Sequence, residues 1–400
     1  MTANAGQHKI SRARRSTATS VQHSAEAAPS IQVRRKAGRF SPVLGPIGAL
    51  GLGILLNLKE AVIGHLPPIA EMAASVLILA FAIWMVFIVL RHAEDIAHKV
   101  GEPYGTLVLT VAVTAIEASV IVSVMLHGEQ NPALARESVF STVMIVCAGM
   151  LGISLTVGGW RHGHQELKRQ GTSALLAVVV ALSALTLVLP NYTLNGEIGS
   201  YSTMQLVFVG TICLLLYGSF VFTQMTSQRE DFVDELEPTD PKAHSASGES
   251  LPVSIVLLVV GLIGIVLLAE YVADELKQGL TALHVQQTDA IIGAFIAALV
   301  LLPEMVAAIR ASLDNELQRS LNIALGSACA TIGLTVPVVA VASLVTNSPL
   351  TLGLGPGDTV LLVLALAVSI ISFGTGRTTL LTGAVHLVVF VAYLMLIAVP

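Results

Sequence analysis

Apolar segments about as long as a membrane-spanning helix recur along most of this chain of 400 residues. A helix needs roughly 20 apolar residues to cross the hydrocarbon core of a bilayer. Eleven segments approach that length, at 42–57, 68–90, 105–127, 137–159, 171–190, 201–226, 251–272, 288–310, 319–345, 357–374 and 378–399. The pattern therefore predicts an all-α polytopic membrane protein with about eleven transmembrane helices.

The composition agrees with that fold class. Hydrophobic residues make up 54% of the chain and charged residues 12%, whereas a soluble domain usually has about a quarter charged residues. All three cysteines, Cys147, Cys213 and Cys329, fall inside apolar segments without C-x-x-C spacing. We interpret them as small buried hydrophobes and expect neither a disulfide framework nor a zinc site.

Polar residues concentrate in two segments. Residues 1–41 are basic and rich in Ser and Ala, which predicts a disordered N-terminal tail, with an organelle transit peptide as the alternative. The tail has no apolar h-region, so we do not interpret it as a signal peptide. Residues 226–250 carry acids first and Pro, Ser and Gly afterwards, which predicts an acidic cytoplasmic linker. The linker lacks EF-hand spacing, and we interpret it as a solvated spacer.

The positions of lysine and arginine predict the orientation in the membrane. If the N-terminus is cytoplasmic, 18 of the 21 basic residues lie in the tail and the cytoplasmic loops, and only Lys59, Arg136 and Lys277 lie outside. Cytoplasmic loops of membrane proteins carry such an excess. We therefore expect a multi-pass protein of the inner (plasma) membrane with a cytoplasmic N-terminus.

Two glutamates, Glu117 and Glu304, each lie inside one of the apolar segments. A charged group at the centre of a membrane helix costs roughly 2.5–3.5 kcal/mol or more. Such residues are retained mainly where they face a partner, a watery cavity or a passing ion. The pair indicates an ion transporter, and the alternative is a pair of protonated carboxyls bonded to neighbouring helices.

The polar residues of the two halves follow the same order. Apart from the first segment, five segments lie on each side of the linker, and Glu117 and Glu304 are each in the second of their five. Small hydroxyl residues open the next segment, at Ser141 and Thr142 in the first half and at Ser327 in the second. An odd number of helices inverts the second copy, and inverted repeats place their binding site near the membrane midplane.

Two carboxylates and nearby hydroxyls can bind a hard cation. Because the same carboxylates can bind protons, protonation competes with the metal. We therefore predict that Glu117 and Glu304 are the metal and proton ligands of a cation/proton antiporter that needs no cofactor. Ser141, Thr142 and Ser327 are candidate ligands, although small hydroxyl residues also occur at ordinary membrane helix contacts.

A cation channel and a polytopic membrane enzyme are the two alternatives to an antiporter. A cation channel would carry the same ions without obligatory proton movement. A polytopic membrane enzyme is a different class, but neither H-E-x-x-H nor G-x-S-x-G occurs, so we expect no enzyme. We expect the bilayer, inorganic cations and protons as partners, with no nucleic acid, and a homo-oligomer remains open.

Four further residues are candidates for an ion pathway. Glu71 lies near the outer face, Glu102 at the cytoplasmic end of the third segment, and Glu270 near an outer helix end. His386 lies in the last segment, where a hydrogen-bonded histidine is the alternative to a proton relay.

Three long segments resemble a known family. They are GEPYGTLVLTVAVTAIEASVI (101–121), LLPEMVAAIRASLDNELQRSLNIALGSACATIGLTVPVV (301–339) and ISFGTGRTTLLTGAVHLVVFVAYLM (371–395). The chain is similar to ChaA-type calcium/proton antiporters, in the cation/proton exchanger group of the calcium:cation antiporter superfamily. The resemblance implies a leading helix and two inverted five-helix sodium/calcium exchanger-type repeats, within 42–225 and 251–400.

The resemblance also implies that Glu117 and Glu304 occupy the paired central acidic positions of the family. The wider group has a Gly-Asn-x-x-Glu pattern before each acid, whereas here Val113–Ile116 and Val300–Pro303 precede them. Fewer amide ligands leave open whether the transported cation is Ca²⁺, Na⁺ or K⁺.

Overall fold

The computed structural model describes residues 44–57, 68–100, 104–127, 132–194, 198–226, 250–285 and 287–399. The predicted N-terminal tail lies outside the described residues, as do Glu102 and nearly all of the predicted linker.

Every predicted apolar segment contains a helix. The helices are α1 (Leu44–Asn57), α2 (Pro68–Val100), α3 (Tyr104–His127), α4 (Leu134–Met144), α5 (Leu151–His162), α6 (Arg169–Ser183), α7 (Thr203–Met225), α8 (Leu251–Ala282), α9 (Thr288–Leu313), α10 (Leu317–Ala330), α11 (Val336–Thr346), α12 (Pro356–Gly374) and α13 (Leu380–Ala398). In the described ranges, nine stretches are long and apolar enough to cross a membrane, and two shorter apolar helices lie at Leu44–Leu56 and Thr110–Ser123. The predicted all-α polytopic fold is confirmed.

Three of the membrane-spanning stretches contain a π-helical segment. One, Ala184–Val188, follows α6 near the end of its stretch, and the other two lie near the middle of theirs. The first break, Ile145–Met150, joins α4 to α5, and the second break, Thr331–Thr335, joins α10 to α11. Such turns are rare and frequently lie at functional sites. A glycine in each break meets an aromatic ring of another helix. A Cβ on Gly149 would lie 3.1 Å from the Phe390 ring, and one on Gly333 would lie 2.6 Å from Cβ of Tyr217.

Each broken stretch packs against helices of the opposite half. Helices α9 and α13 flank the stretch that contains the first break, and α3 and α7 flank the stretch that contains the second. Glycines allow these close approaches: a Cβ on Gly293 would lie 2.8 Å from the backbone of Glu137, and one on Gly383 would overlap the backbone of Thr156. The two halves are therefore interlocked at their breaks.

A two-stranded antiparallel sheet joins the ends of two helices that are distant in sequence. Strand β1 (His164–Glu166) follows α5, and β2 (Arg377–Thr379) precedes α13. An exposed ion pair of 2.7 Å joins Glu166 to Arg377 across the strands. Exposed pairs of this kind contribute little to stability, so packing of α13 on α5 holds this end together.

Candidate functional site

Glu117 lies in the middle of α3 and is 2% exposed. Thr142 donates a hydrogen bond to its Oε1 at 3.1 Å, and Thr331 donates one to its Oε2 at 2.6 Å. Thr142 is in the last turn of α4, just before the first break, and Thr331 opens the second break. One carboxyl group is therefore held by a hydroxyl from each half of the molecule.

Glu304 lies inside α9 directly after Pro303. Its Oε2 is buried and has no hydrogen-bond partner among the described residues. Helices α3 and α9, which carry Glu117 and Glu304, pack against each other. A buried carboxylate oxygen without a partner is unfavourable, so it needs either a proton or a cation. The two acids therefore lie on packed helices, where one carboxyl is held by two hydroxyls and the other has an oxygen available for a ligand.

The structure separates the three predicted hydroxyl ligands. Thr142 contacts Glu117 as described above. Ser141 instead accepts a hydrogen bond of 2.7 Å from Tyr393 on α13. Ser327 is half-buried on α10 and makes no side-chain hydrogen bond with another described residue. Only one of the three hydroxyls thus touches a central carboxyl group.

Sequence reasoning missed Thr331, which makes the shorter of the two hydrogen bonds to Glu117. The comparison of the halves matches Gly326-Ser327 with Ser141-Thr142, and Thr331 lies about one helical turn beyond Ser327. Thr335, at the other end of the second break, is buried and its hydroxyl has no hydrogen-bond partner in the described part of the chain. Threonines inside a Gly-containing segment after the second acid were the signal that could have indicated this cluster.

The structure describes the side chains of two of the four predicted pathway residues, Glu270 and His386. Helix α2 contains Glu71, whose side chain is not described, and Glu102 lies outside the described residues. Glu270 on α8 is 7% exposed and accepts a hydrogen bond of 3.0 Å from Ser123 on α3. It is therefore a buried contact between two helices. His386 is fully buried on α13.

The described residues contain no group of three or more His, Cys, Asp or Glu side chains that could hold a metal ion. A cation at Glu117 and Glu304 would therefore depend on two carboxylates together with hydroxyl or carbonyl oxygens, which are ligands that hard cations accept. All three cysteines are free and buried, as the sequence predicted.

Comparison with known proteins identifies the family. The family model for the sodium/calcium exchanger protein matches residues 71–226 and 253–399, one range in each half. The chain belongs to the sodium/calcium exchanger family. This confirms the resemblance that the sequence segments indicated.

Individual proteins agree with this assignment. The chain is 43% identical over 316 residues to y4hA of Sinorhizobium fredii, whose name describes an ionic transporter, and the match covers 79% of this chain and 86% of that protein. It is 36% identical over 315 residues to the sodium-potassium/proton antiporter ChaA of Escherichia coli, covering 78% and 85%. The solved structure of native YfkE has a TM-score of 0.63 at 16% identity, covering 90% of this chain and all of that one. YfkE therefore shares the fold of this chain.

Proposed function

We propose that the protein is a secondary-active antiporter that exchanges a cation for protons by alternating access around Glu117 and Glu304. One observation carries the proposal: hydroxyls from both halves donate to Glu117, and the adjacent helix α9 carries Glu304, whose buried Oε2 lacks a partner among the described residues. The name of the Escherichia coli relative, a sodium-potassium/proton antiporter, supports the same reaction.

Competition between cation and protons explains the coupling. A cation can be bound only when the carboxylates are ionised, and protons neutralise the same groups when the cation leaves. Two ionised carboxylates without a cation are unfavourable in a buried site. The site therefore moves across the membrane barrier loaded with a cation or with protons, and rarely with neither.

The hydrogen bonds to Glu117 connect the site to movement of the halves. Thr142 belongs to the first half and Thr331 to the second, and both donate to this carboxyl. If one half shifts relative to the other, at least one of these distances must change. Such a shift would alter how strongly the carboxyl holds a cation, as release on the opposite side requires.

The transported cation is proposed from the ligand chemistry. Carboxylate and hydroxyl oxygens suit calcium, sodium and potassium alike, so we propose calcium, sodium or potassium as the exported ion. The protein needs no cofactor and is not an enzyme. We propose that the protein lies in the inner membrane. Its N-terminus is proposed to be cytoplasmic, because 18 of its 21 basic residues are then on the cytoplasmic side.

Flux measurements in reconstituted vesicles test the function. The purified full chain is placed in proteoliposomes that contain a pH-sensitive dye, and gradients of Ca²⁺, Na⁺ and K⁺ are applied in parallel. An antiporter moves protons in exchange for at least one of these cations. The net flux stops when the pH gradient balances the cation gradient. A cation channel would pass the cation while the dye signal stays unchanged once the membrane potential is clamped.

The two threonine hydroxyls that donate to Glu117 give two predictions of different size. Thr331→Val keeps the shape of the side chain and removes the donor, so a hydrogen bond to a charged group is lost, at about 1.5–3 kcal/mol. We expect the affinity for the transported cation to fall by roughly tenfold or more. Thr142→Val should have a smaller effect in the same direction because its bond is longer.

Ser327→Ala is the matched control for these two variants, since the Ser327 hydroxyl makes no hydrogen bond to either carboxyl. Its cation affinity should stay close to that of the unmodified protein. Loss of affinity in Ser327→Ala with normal affinity in Thr331→Val would contradict the arrangement around Glu117.

A further inference from the structure

His386 makes two hydrogen bonds from a fully buried position on α13. Its Nδ1 lies 2.7 Å from the backbone carbonyl oxygen of Cys147, and its Nε2 lies 3.1 Å from the hydroxyl of Ser372 on α12. The ring also stacks on Phe373, with 6.0 Å between the centroids. Cys147 is inside the first break, so the histidine contacts the part of the helix where the winding changes.

These contacts determine the tautomer. A carbonyl oxygen can only accept a hydrogen bond, so Nδ1 must carry the hydrogen and donate it to Cys147. In a neutral ring Nε2 is then an acceptor for the hydroxyl of Ser372. Both ring nitrogens are used, which leaves no nitrogen free to pass a proton onward. The ring is therefore held in a fixed orientation.

Two neighbours of His386 on the same face of α13 also hold the first broken stretch. Residues 386, 390 and 393 follow the spacing of one helical face. The Phe390 ring covers Gly149 so closely that a Cβ there would lie 3.1 Å away, and Tyr393 donates to Ser141 at 2.7 Å. Helix α13 thus contacts the stretch before, within and after Cys147.

The first break directly follows the turn that carries Thr142, whose hydroxyl holds Glu117. The carbonyl that His386 binds is five residues beyond Thr142. Without the His386 donor, this carbonyl would lose a short buried hydrogen bond that is compatible with the π-helical winding, and that loss would favour rewinding of the break toward regular helix. Rewinding would rotate Thr142 away from Glu117.

We propose that His386 is a positioning residue for transport: its Nδ1–H fixes the first break in its π-helical winding and thereby keeps Thr142 against Glu117. This inference rests on the proposed function. It assigns His386 a role different from the proton relay that the sequence had suggested as one alternative. The histidine acts through the break and does not touch the cation.

Asparagine and glutamine substitutions distinguish the two ring nitrogens. His386→Asn places an amide nitrogen near the position of Nδ1 and can still donate to Cys147, whereas His386→Gln places it near the position of Nε2. In the proteoliposome assay, we expect His386→Leu and His386→Gln to raise the cation KM about tenfold. We expect maximal rates within about twofold of the unmodified protein, since the central carboxyls are retained. His386→Asn should restore a KM close to the unmodified value.

Ser372→Ala is the control for the other nitrogen, because it removes only the hydroxyl that contacts Nε2. We expect it to leave both KM and the maximal rate nearly unchanged. A proton relay through His386 predicts the opposite: the maximal rate would fall in His386→Asn and in Ser372→Ala as strongly as in His386→Leu.

The unmodified protein, measured in parallel, separates failure of this proposal from failure of the proposed function. If it exchanges cations for protons while His386→Asn and His386→Gln have the same KM, the positioning role is wrong and the antiport function stands. If His386→Leu cannot be purified in folded form, the comparison of asparagine with glutamine alone decides the question.

Discussion

Glu117→Gln and Glu304→Gln are each expected to abolish cation-driven proton movement in proteoliposomes. Glutamine keeps the size of the side chain but can neither bind a proton as a carboxylate does nor contribute a negative charge to a cation. Removing one member of a set of buried interacting charges typically costs about 3–5 kcal/mol. We therefore expect the initial rate to fall by at least roughly a hundredfold in each variant.

The two variants should fail for different reasons. In Glu117→Gln only one side-chain oxygen remains, so Thr142 and Thr331 cannot both donate to residue 117, and one of these hydroxyls must accept from the amide instead. In Glu304→Gln a neutral amide replaces the carboxyl group whose Oε2 has no partner among the described residues. The hydrogen bonds from Thr142 and Thr331 to Glu117 remain. Glu304→Gln should consequently retain more of the thermal stability of the unmodified protein.

Glu166→Gln is the matched control for both variants. Its side chain is 69% exposed and pairs with the exposed Arg377 on the neighbouring strand. We expect normal exchange in this variant. Normal exchange in both Glu117→Gln and Glu304→Gln would exclude these residues as the site.

Gly383→Leu is expected to have the largest effect on folding. A Cβ on Gly383 would overlap the backbone nitrogen and the hydroxyl of Thr156, and would lie 2.8 Å from the backbone carbon of Leu155. The obstructing atoms are mostly backbone, so α13 must move away from α5 as a unit. Overpacking of this kind costs about 3 kcal/mol, occasionally more. We expect a clear decrease in the thermal unfolding temperature in detergent and a reduced yield of folded protein.

Gly218→Leu on α7 is the control for that substitution. No atom lies within 4 Å of a Cβ at Gly218, and the residue is exposed on the apolar outer surface. Its unfolding temperature should match that of the unmodified protein. Equal stability of Gly383→Leu and Gly218→Leu would mean that α13 does not pack on α5 through this glycine.

The sequence predicted the helices well because the bilayer imposes a length and a composition on each of them. All eleven apolar segments became helical stretches. The predicted membrane segments end at 90 and 272, and the helices α2 and α8 that contain them continue to Val100 and Ala282. Charged residues such as Arg91 and Lys277 end the apolar pattern, but they are compatible with a helix that continues beyond the hydrocarbon.

The candidate site was only partly predictable. The cost of placing an acid in an apolar segment identifies Glu117 and Glu304 without any structure. The contacts around these acids are not predictable in the same way. Thr331 is 214 residues from Glu117 in sequence, and His386 is 239 residues from Cys147. No local pattern reports such distant contacts. The π-helical winding that places Thr142 and Thr331 at one carboxyl also has no periodic signal in the sequence.

Proton release on cation binding tests the central claim most directly, because cation and protons must compete for the same two carboxyls. The purified protein in detergent is titrated with Ca²⁺, Na⁺ or K⁺ by calorimetry in buffers of different ionisation enthalpy, and the slope gives the protons released per cation. We predict a clear release for the transported cation and its loss in the variant that combines Glu117→Gln with Glu304→Gln. Cation binding with no proton release, or with the same release in that variant, would contradict the account.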